Sequence, residues 1–127
     1  MNKIIALLLI ALVLATGCTT NAPPAQNGTL EGHITIGPIC PVETNPPNPD
    51  CEPSEQTYAA YKIGVFSVTG EKITEFNGDR YGNYKVELPE GRYRLNQLGG
   101  LLKYSAEIEI VANETRRVDI DIDTGIR

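Results

Sequence analysis

Segment 83–95, NYKVELPEGRYRL, constrains the fold most strongly, because apolar and polar residues alternate on both sides of a turn. A period of two is typical of β-strands that bury one face. Pro89 fixes φ and Gly91 tolerates a positive φ at the point of reversal. The segment therefore predicts a β-hairpin. Its apolar face would hold Tyr84, Val86, Leu88, Tyr93 and Leu95, and its solvent face Lys85, Glu87, Arg92 and Arg94.

Similar short runs recur along the chain, without an internal repeat or a helical stretch of useful length. With the two limbs of the hairpin, the predicted strands are 28–36, 58–68, 72–76, 104–110 and 116–123. In the first strand, Gly32, Ile34 and Ile36 are expected on one face, and Leu30 with His33 or Thr35 on the other. Seven strands at this spacing predict an all-β fold, a seven-stranded antiparallel β-sandwich. The residues expected to be buried include Tyr84, Val86, Leu95, Ile108 and Ile120.

The last two predicted strands carry many acidic residues, and we expect them to form a hairpin around residues 112–114. Opposite charges that face each other across strands are favourable. We therefore prefer the register that pairs Glu109 with Arg117 and Glu107 with Asp119 over the register that pairs Glu109 with Asp119 and Glu107 with Asp121. The remaining acidic stripe, which includes Asp123, would be neutralised by Arg92, Arg94 or Lys103 rather than by a bound cation.

The N-terminus has the composition of a secretory signal, in which Lys3 precedes an apolar run that ends at Thr16 and Gly17. This run is shorter than the roughly 20 apolar residues needed to span a bilayer. The sequence LATG before Cys18 resembles the lipobox of secreted lipoproteins. The resemblance implies cleavage after Gly17 and attachment of diacylglycerol, with acyl chains such as palmitate, to Cys18. The alternative is an ordinary signal peptide followed by a chance cysteine.

These features predict three parts, a disordered or helical signal peptide (1–17), a flexible proline-containing tether (18–27) and one domain (28–127). Loss of Lys3 changes the formal charge from −5 to −6, because ten Lys and Arg then face sixteen Asp and Glu. Such an acidic chain lacks the basic patch needed to bind nucleic acid. The expected location is the cell membrane or outer membrane of a prokaryote, to which the exported chain is anchored by lipid.

Segment 37–57 is a long connection that contains six of the nine prolines, together with Cys40 and Cys51. Connections of this length are usually functional or disordered. In an exported chain with Cys18 lipidated, the remaining two cysteines favour a disulfide. A zinc site would need more ligands than a single histidine, His33, can supply. A nucleophilic cysteine would need a base and an orienting group that the sequence does not place.

The sequence contains none of the common catalytic or metal-binding motifs, so we predict no catalytic residues, no metal site and no cofactor. His33 lies in an alternating strand, where a half-exposed structural histidine is more common than a general base. The paired carboxylates alternate with isoleucines and are therefore interpreted as a solvated face. The chain is predicted not to be an enzyme.

The runs GTLEGHITIG, KIGVFSVTGEKI, GNYKVELPEGRYRL and VDIDID together resemble the carboxypeptidase regulatory-like domain, a transthyretin-like (prealbumin-like) sandwich. The pattern G-x-Y-x-V-x-L-P-x-G-x-Y at residues 82–93 carries most of this resemblance. It implies a non-catalytic module. We therefore expect an envelope module with a structural role, or one that binds a protein or carbohydrate. The alternative is a surface carrier of calcium or a small ligand that uses the acidic face or the proline-rich loop.

Overall fold

A computed structural model describes residues 24–42 and 44–127 of the chain. The predicted signal peptide, the lipidation site Cys18 and most of the predicted tether lie outside the described residues. The elements are β1 (Asn27–Gly37), α1 (Glu55–Ala60), β2 (Lys62–Ser67), β3 (Lys72–Phe76), β4 (Asn83–Pro89), β5 (Gly91–Leu98), β6 (Ser105–Ile110), β7 (Thr115–Arg117) and β8 (Ile120–Asp123), with a 3-10 turn at Pro49–Cys51 before α1. No helix in the described ranges is long and apolar enough to cross a membrane.

The strands form two sheets that pack face to face, so the predicted β-sandwich is confirmed. The first sheet has the order β4-β1-β7, with β8 also paired to β1, and the second has the order β3-β2-β5-β6. The described strands number eight rather than the predicted seven. The pairings of β1 with β7 and β8 are parallel, whereas the others are antiparallel.

The extra strand arises because the predicted strand 116–123 is interrupted at Val118 and Asp119. The Asp119 carboxylate accepts a hydrogen bond from the His33 backbone N–H at 3.0 Å. This side chain takes the place of a backbone carbonyl that would otherwise accept this bond between the strands. Gly32 permits the close approach, since a Cβ there would lie 1.9 Å from the Val118 carbonyl oxygen. The break is thus a specific local structure that residue alternation does not reveal.

Segment 83–95 contains two strands and a turn as predicted, but the predicted hairpin is wrong. β4 pairs with β1, whereas β5 pairs with β2 and β6, so the two strands belong to different sheets. Gly91, with φ of 147°, lies where the chain crosses between them. Both arrangements place the apolar residues on a common core, which is why alternation cannot distinguish them.

The predicted hairpin of the last strands is wrong for the same reason. β6 pairs with β5, whereas β7 and β8 join β1 in the other sheet, so neither proposed register exists. Glu109 instead faces Arg92, and Glu107 faces Arg94. β5 and β6 form the hairpin, connected by loop 99–104. These two strands are adjacent in sequence and also neighbours in the second sheet.

The predicted strand 58–68 begins as a helix. Ser54 caps α1 in a reciprocal arrangement with Thr57, whose side chain accepts the Ser54 backbone N–H at 3.1 Å. This capping box favours a helical first turn over an extended one. Tyr58 on α1 is buried, and β2 then runs from Lys62 with Ile63 and Val65 in the core.

The core lies between the sheets and is built from alternate residues of each strand. Leu30 is buried on the same face of β1 as Ile34 and Ile36, so its predicted placement on the opposite face was wrong. Val86 is only partly buried, in contrast to the prediction. The predictions for the other four core residues are confirmed, with Tyr84 and Ile108 each 6% exposed and Leu95 and Ile120 fully buried.

Candidate functional site

The two ends of the sandwich are formed by different segments of the chain. One end, called the N-terminal end, is where Gln26 is held by two hydrogen bonds. Its backbone carbonyl accepts a hydrogen bond from the Glu90 backbone N–H at 2.8 Å, and its side-chain oxygen accepts one from the Asn113 side-chain amide at 2.9 Å. β1 then runs for 11 residues to Gly37. At about 3.3 Å per residue, this separates the two ends by roughly 35 Å. The end at which β1 finishes is called the distal end.

Three segments meet at the distal end, namely the proline-rich loop 38–54, loop 99–104 and the C-terminal residues 124–127. Thr124, which is 8% exposed, joins the first and third segments. Its backbone N–H donates to the Gly37 carbonyl at 3.1 Å, and its hydroxyl donates to the Pro38 carbonyl. A buried side chain with satisfied hydrogen bonds therefore fixes the C-terminal segment against the start of the loop.

Loop 99–104 is held from inside by Gln97, which is 5% exposed. Its side-chain amide donates to the Gly99 carbonyl at 3.0 Å, and its carbonyl accepts the Tyr104 N–H at 3.3 Å. Gly99 and Gly100 have φ values of 88° and 81°, which disfavour other residues. A Cβ at Gly100 would also lie 2.6 Å from Gln97 Nε2. The loop conformation is consequently well specified.

This fixed loop exposes apolar side chains. Leu101 is 83% exposed, Leu102 45% and Ile126 36%, and we call these three residues the distal patch. A Cβ at Gly125 would lie 3.5 Å from Leu101 Cδ1, so Leu101 lies against the C-terminal segment. Clustered apolar groups on a preorganised surface are characteristic of interaction sites. This patch was not predicted from the sequence, although two leucines directly after two glycines could have indicated it.

The proline-rich loop contains the disulfide between Cys40 and Cys51, with the Cα atoms 5.3 Å apart. The Asn48 side chain accepts the Asp50 N–H at 3.0 Å and caps the 3-10 turn. A pocket of about 350 Å³ opens between the limbs of the loop. Its lining includes Pro38, Ile39, Val42, Thr44, Pro47 and Asn48. The pocket thus combines a mainly apolar wall with a few polar groups.

Three acidic side chains of segment 105–123 pair with arginines, namely Glu107, Asp119 and Asp123. Glu107 lies 3.0 Å from Arg94, which confirms the predicted role of this arginine. Asp119 pairs at 3.1 Å with Arg117, a partner that was not predicted for this purpose. The hydrogen bond from Arg127, followed by that from the Gly125 N–H, lowers the pKa of Asp123. Within the described ranges, no three His, Cys, Asp or Glu residues are placed to share a metal ion.

His33 has a structural environment. Its Nε2 lies 2.9 Å from the Tyr81 carbonyl oxygen, and the adjacent Ile34 N–H donates to the Gly82 carbonyl at 2.7 Å. Gly82 has a φ of 83° and approaches the histidine so closely that a Cβ there would lie 2.9 Å from His33 Nε2. These contacts attach the connection between β3 and β4 to β1. They give His33 a structural role at this connection.

No protein-family model matches the chain, and no curated protein matches it. Among solved structures, a DUF3823 family protein from Parabacteroides merdae is similar with a TM-score of 0.51 and 16% sequence identity; the similarity covers 77% of this chain and 46% of that one. The Bacillus anthracis TIE protein is similar with a TM-score of 0.49 and 18% identity, over 77% of this chain and 16% of that one. The chain thus spans less than half the length of either protein. The first similarity supports a β-sandwich module, and neither confirms the carboxypeptidase regulatory-like assignment.

Proposed function

We propose that this chain is a non-catalytic module of a prokaryotic cell envelope, anchored by lipid at Cys18, which binds a protein or carbohydrate through its distal end. The lipobox resemblance before Cys18 supports the anchor, and the distal patch supports the binding role. A DUF3823 family protein, which is similar in fold, is consistent with a non-catalytic module.

The position of the distal patch relative to the N-terminus is the observation that carries this proposal. Gln26 is fixed at one end of β1, and Leu101 is presented at the other end, roughly 35 Å away at about 3.3 Å per residue. A tether formed by the residues between Cys18 and Gln26 would therefore hold the N-terminal end close to the membrane. The distal patch would face outward, where a partner can reach it.

The disulfide loop supports a second candidate, a carrier of a small ligand. Its pocket of about 350 Å³ is within the size range of small-molecule sites and has a largely apolar lining. Calcium is less well supported as that ligand, because acidic residues such as Glu107 and Asp119 have arginine partners. The two candidates use different residues of the distal end, so separate substitutions can distinguish them.

The proposed function is tested by recovering partners from the native envelope with the tethered protein. The variant Leu101→Ser/Leu102→Ser removes the apolar surface, and Val111→Ser is the matched control because Val111 is 46% exposed near the N-terminal end. We expect a protein or envelope polysaccharide to be retained by the parent and by Val111→Ser, and lost from the double variant.

Retention of the same partner by Leu101→Ser/Leu102→Ser would contradict a role for the distal patch. The small-ligand alternative is tested by the thermal stability of the protein with a panel of small ligands. A ligand that stabilises the parent should fail to stabilise Val42→Asp, because Val42 is exposed and lines the pocket of the disulfide loop.

A further inference from the structure

A second surface, at the opposite end from the distal patch, has the composition of an anion site. A groove of about 500 Å³ lies near the N-terminal end and is lined by residues of β5, β6 and β7 together with Val68 after β2. The charged and apolar groups that line it include Arg92, Arg94, Arg116, Glu107, Glu109 and Val68. We call it the arginine groove. It is separate from the surfaces used in the proposed function.

Both sheets contribute arginines to this groove. Arg92 and Arg94 face away from the core, because the alternating neighbours Tyr93 and Leu95 are buried. Arg116 comes from the other sheet, where it is in register with the buried Leu30. Paired residues of a parallel ladder share a face, so Arg116 occupies a core-facing position at the edge of its sheet. Arg116 is nevertheless exposed and lines the arginine groove.

The ion pairs leave donors available in the groove. Arg94 pairs with Glu107 at 3.0 Å. Arg92 and Arg116 form no salt bridge within 4.0 Å in the part of the chain that the structure describes, although Glu109 faces Arg92 across the strands. Three guanidinium groups against two carboxylates give the groove a formal excess of one positive charge (3 − 2 = +1), in a chain whose net charge is −5.

The geometry points to a binding site for an anion that carries a carboxylate or phosphate group, with Arg92 and Arg116 as its hydrogen-bond donors. A guanidinium group presents its N–H donors as a planar fork that matches the oxygens of these groups. Val68, which is 76% exposed at the groove, would contact the apolar part of the ligand. Such a group belongs either to a soluble molecule or to a lipid headgroup.

The test is a titration of the purified protein with inorganic phosphate and with galacturonate, followed by amide NMR shifts, with neutral galactose as the control ligand. We expect saturable shifts near Arg92, Glu109 and Arg116 for the two anions only. Arg92→Gln and Arg116→Gln should each weaken binding about tenfold or more, because hydrogen bonds to charged groups are lost. Lys85→Gln is the matched control, since Lys85 is exposed on β4 in the other sheet and should leave the affinity unchanged.

Vesicles of phosphatidylglycerol and of phosphatidylcholine distinguish the two sources of the anion. Binding to the anionic vesicles that is lost in Arg92→Gln/Arg116→Gln assigns the site to a lipid headgroup, whereas binding of the soluble probes alone assigns it to a soluble anion. Absence of binding to every anionic probe, or equal binding by the parent and the double variant, would overturn the proposal. Leu101→Ser/Leu102→Ser should not affect this binding, so the outcome is independent of the distal patch.

Discussion

The aromatic rings of Phe76 and Tyr84 stack with their centroids 4.4 Å apart and their planes inclined by 19°. Phe76 ends β3 and Tyr84 lies in β4, so this contact joins the outer strands of the two sheets on one side of the sandwich. The Tyr84 hydroxyl also donates to the Val118 carbonyl between β7 and β8. A single tyrosine therefore connects the second sheet with both sides of the first.

Removal of the Phe76 ring should lower the stability of the sandwich substantially. Phe76→Ala is expected to reduce the free energy of unfolding by about 3–5 kcal/mol, since it deletes a buried ring and leaves a cavity. Ile73→Ala on the same strand is the control, because Ile73 is 45% exposed, and should cost about 1 kcal/mol or less. Chemical denaturation measures both, and similar losses would contradict the role of the stacked pair.

Alkaline pH should destabilise the fold through Tyr84. Burial, followed by the charges of Tyr104 and Asp119, raises the pKa of this hydroxyl well above its ordinary value of 10.0, against a smaller effect of Arg117. Because the folded-state pKa is the higher one, the stabilisation is fully present below about pH 10 and is lost as pH rises towards the folded-state pKa. Unfolding measured as a function of pH should show a weaker alkaline loss in Tyr84→Phe than in the parent. Tyr81→Phe, at an exposed tyrosine, is the control and should retain the parent's dependence.

The isoleucines of β6 and β8 should matter more than the charges that alternate with them. Ile108 is 6% exposed and Ile120 is fully buried, so Ile108→Ala and Ile120→Ala should each cost about 2–5 kcal/mol. Lys85→Ala, at an exposed site on β4, should cost less than about 0.5 kcal/mol. Equal losses at the three sites in denaturation experiments would be incompatible with the observed core.

The disulfide between Cys40 and Cys51 should stabilise the proline-rich loop. Reduction should raise the intact mass by that of two hydrogen atoms, and alkylation without reduction should label neither cysteine. Closing a loop with a sequence separation of 11 residues is expected to contribute roughly 3 kcal/mol in the chain-entropy model. The variant Cys40→Ser/Cys51→Ser should unfold at correspondingly lower denaturant concentration. Labelling of both thiols in the native oxidised protein would rule out this bond.

Anchoring is predicted to depend on Cys18, which lies outside the described residues. Cys18→Ala should block both lipid attachment and cleavage after Gly17, because the thiol is the acceptor implied by the lipobox resemblance. Incorporation of labelled palmitate and partition into detergent provide the two measurements. If the variant is cleaved and partitions as the parent does, an ordinary signal peptide becomes the better interpretation.

The sequence predicts the strands far better than their partners. Alternation reports which residues face a core, and Tyr84, Leu95, Ile108 and Ile120 are buried as it indicates. It contains no information on whether the next strand lies beside the first or across the core. Both predicted hairpins failed for this reason. The interruption at Asp119 depends on a long-range bond to His33, which no local pattern contains.

The candidate site was predictable to a smaller extent. Two remaining cysteines in a chain with a predicted export signal were enough to predict the disulfide that the structure contains. The distal patch was not predicted, because the position of Leu101 depends on the bonds that Gln97 makes inside the loop and on a contact with Gly125, which is distant in sequence. The arginine groove likewise required Arg116 to approach β5 and β6 from the other sheet.

The pairing of β1 has a consequence for the order in which the chain acquires structure. Although β1 lies first in the sequence, it pairs with residues 83–89 on one side and with residues 115–117 and 120–123 on the other. Such distant contacts require long loops to close and slow folding. During synthesis, β1 therefore remains without β7 and β8 until residues 115–123 have emerged, and a nascent chain that stops before Thr115 keeps one edge of β1 open to pairing with other chains.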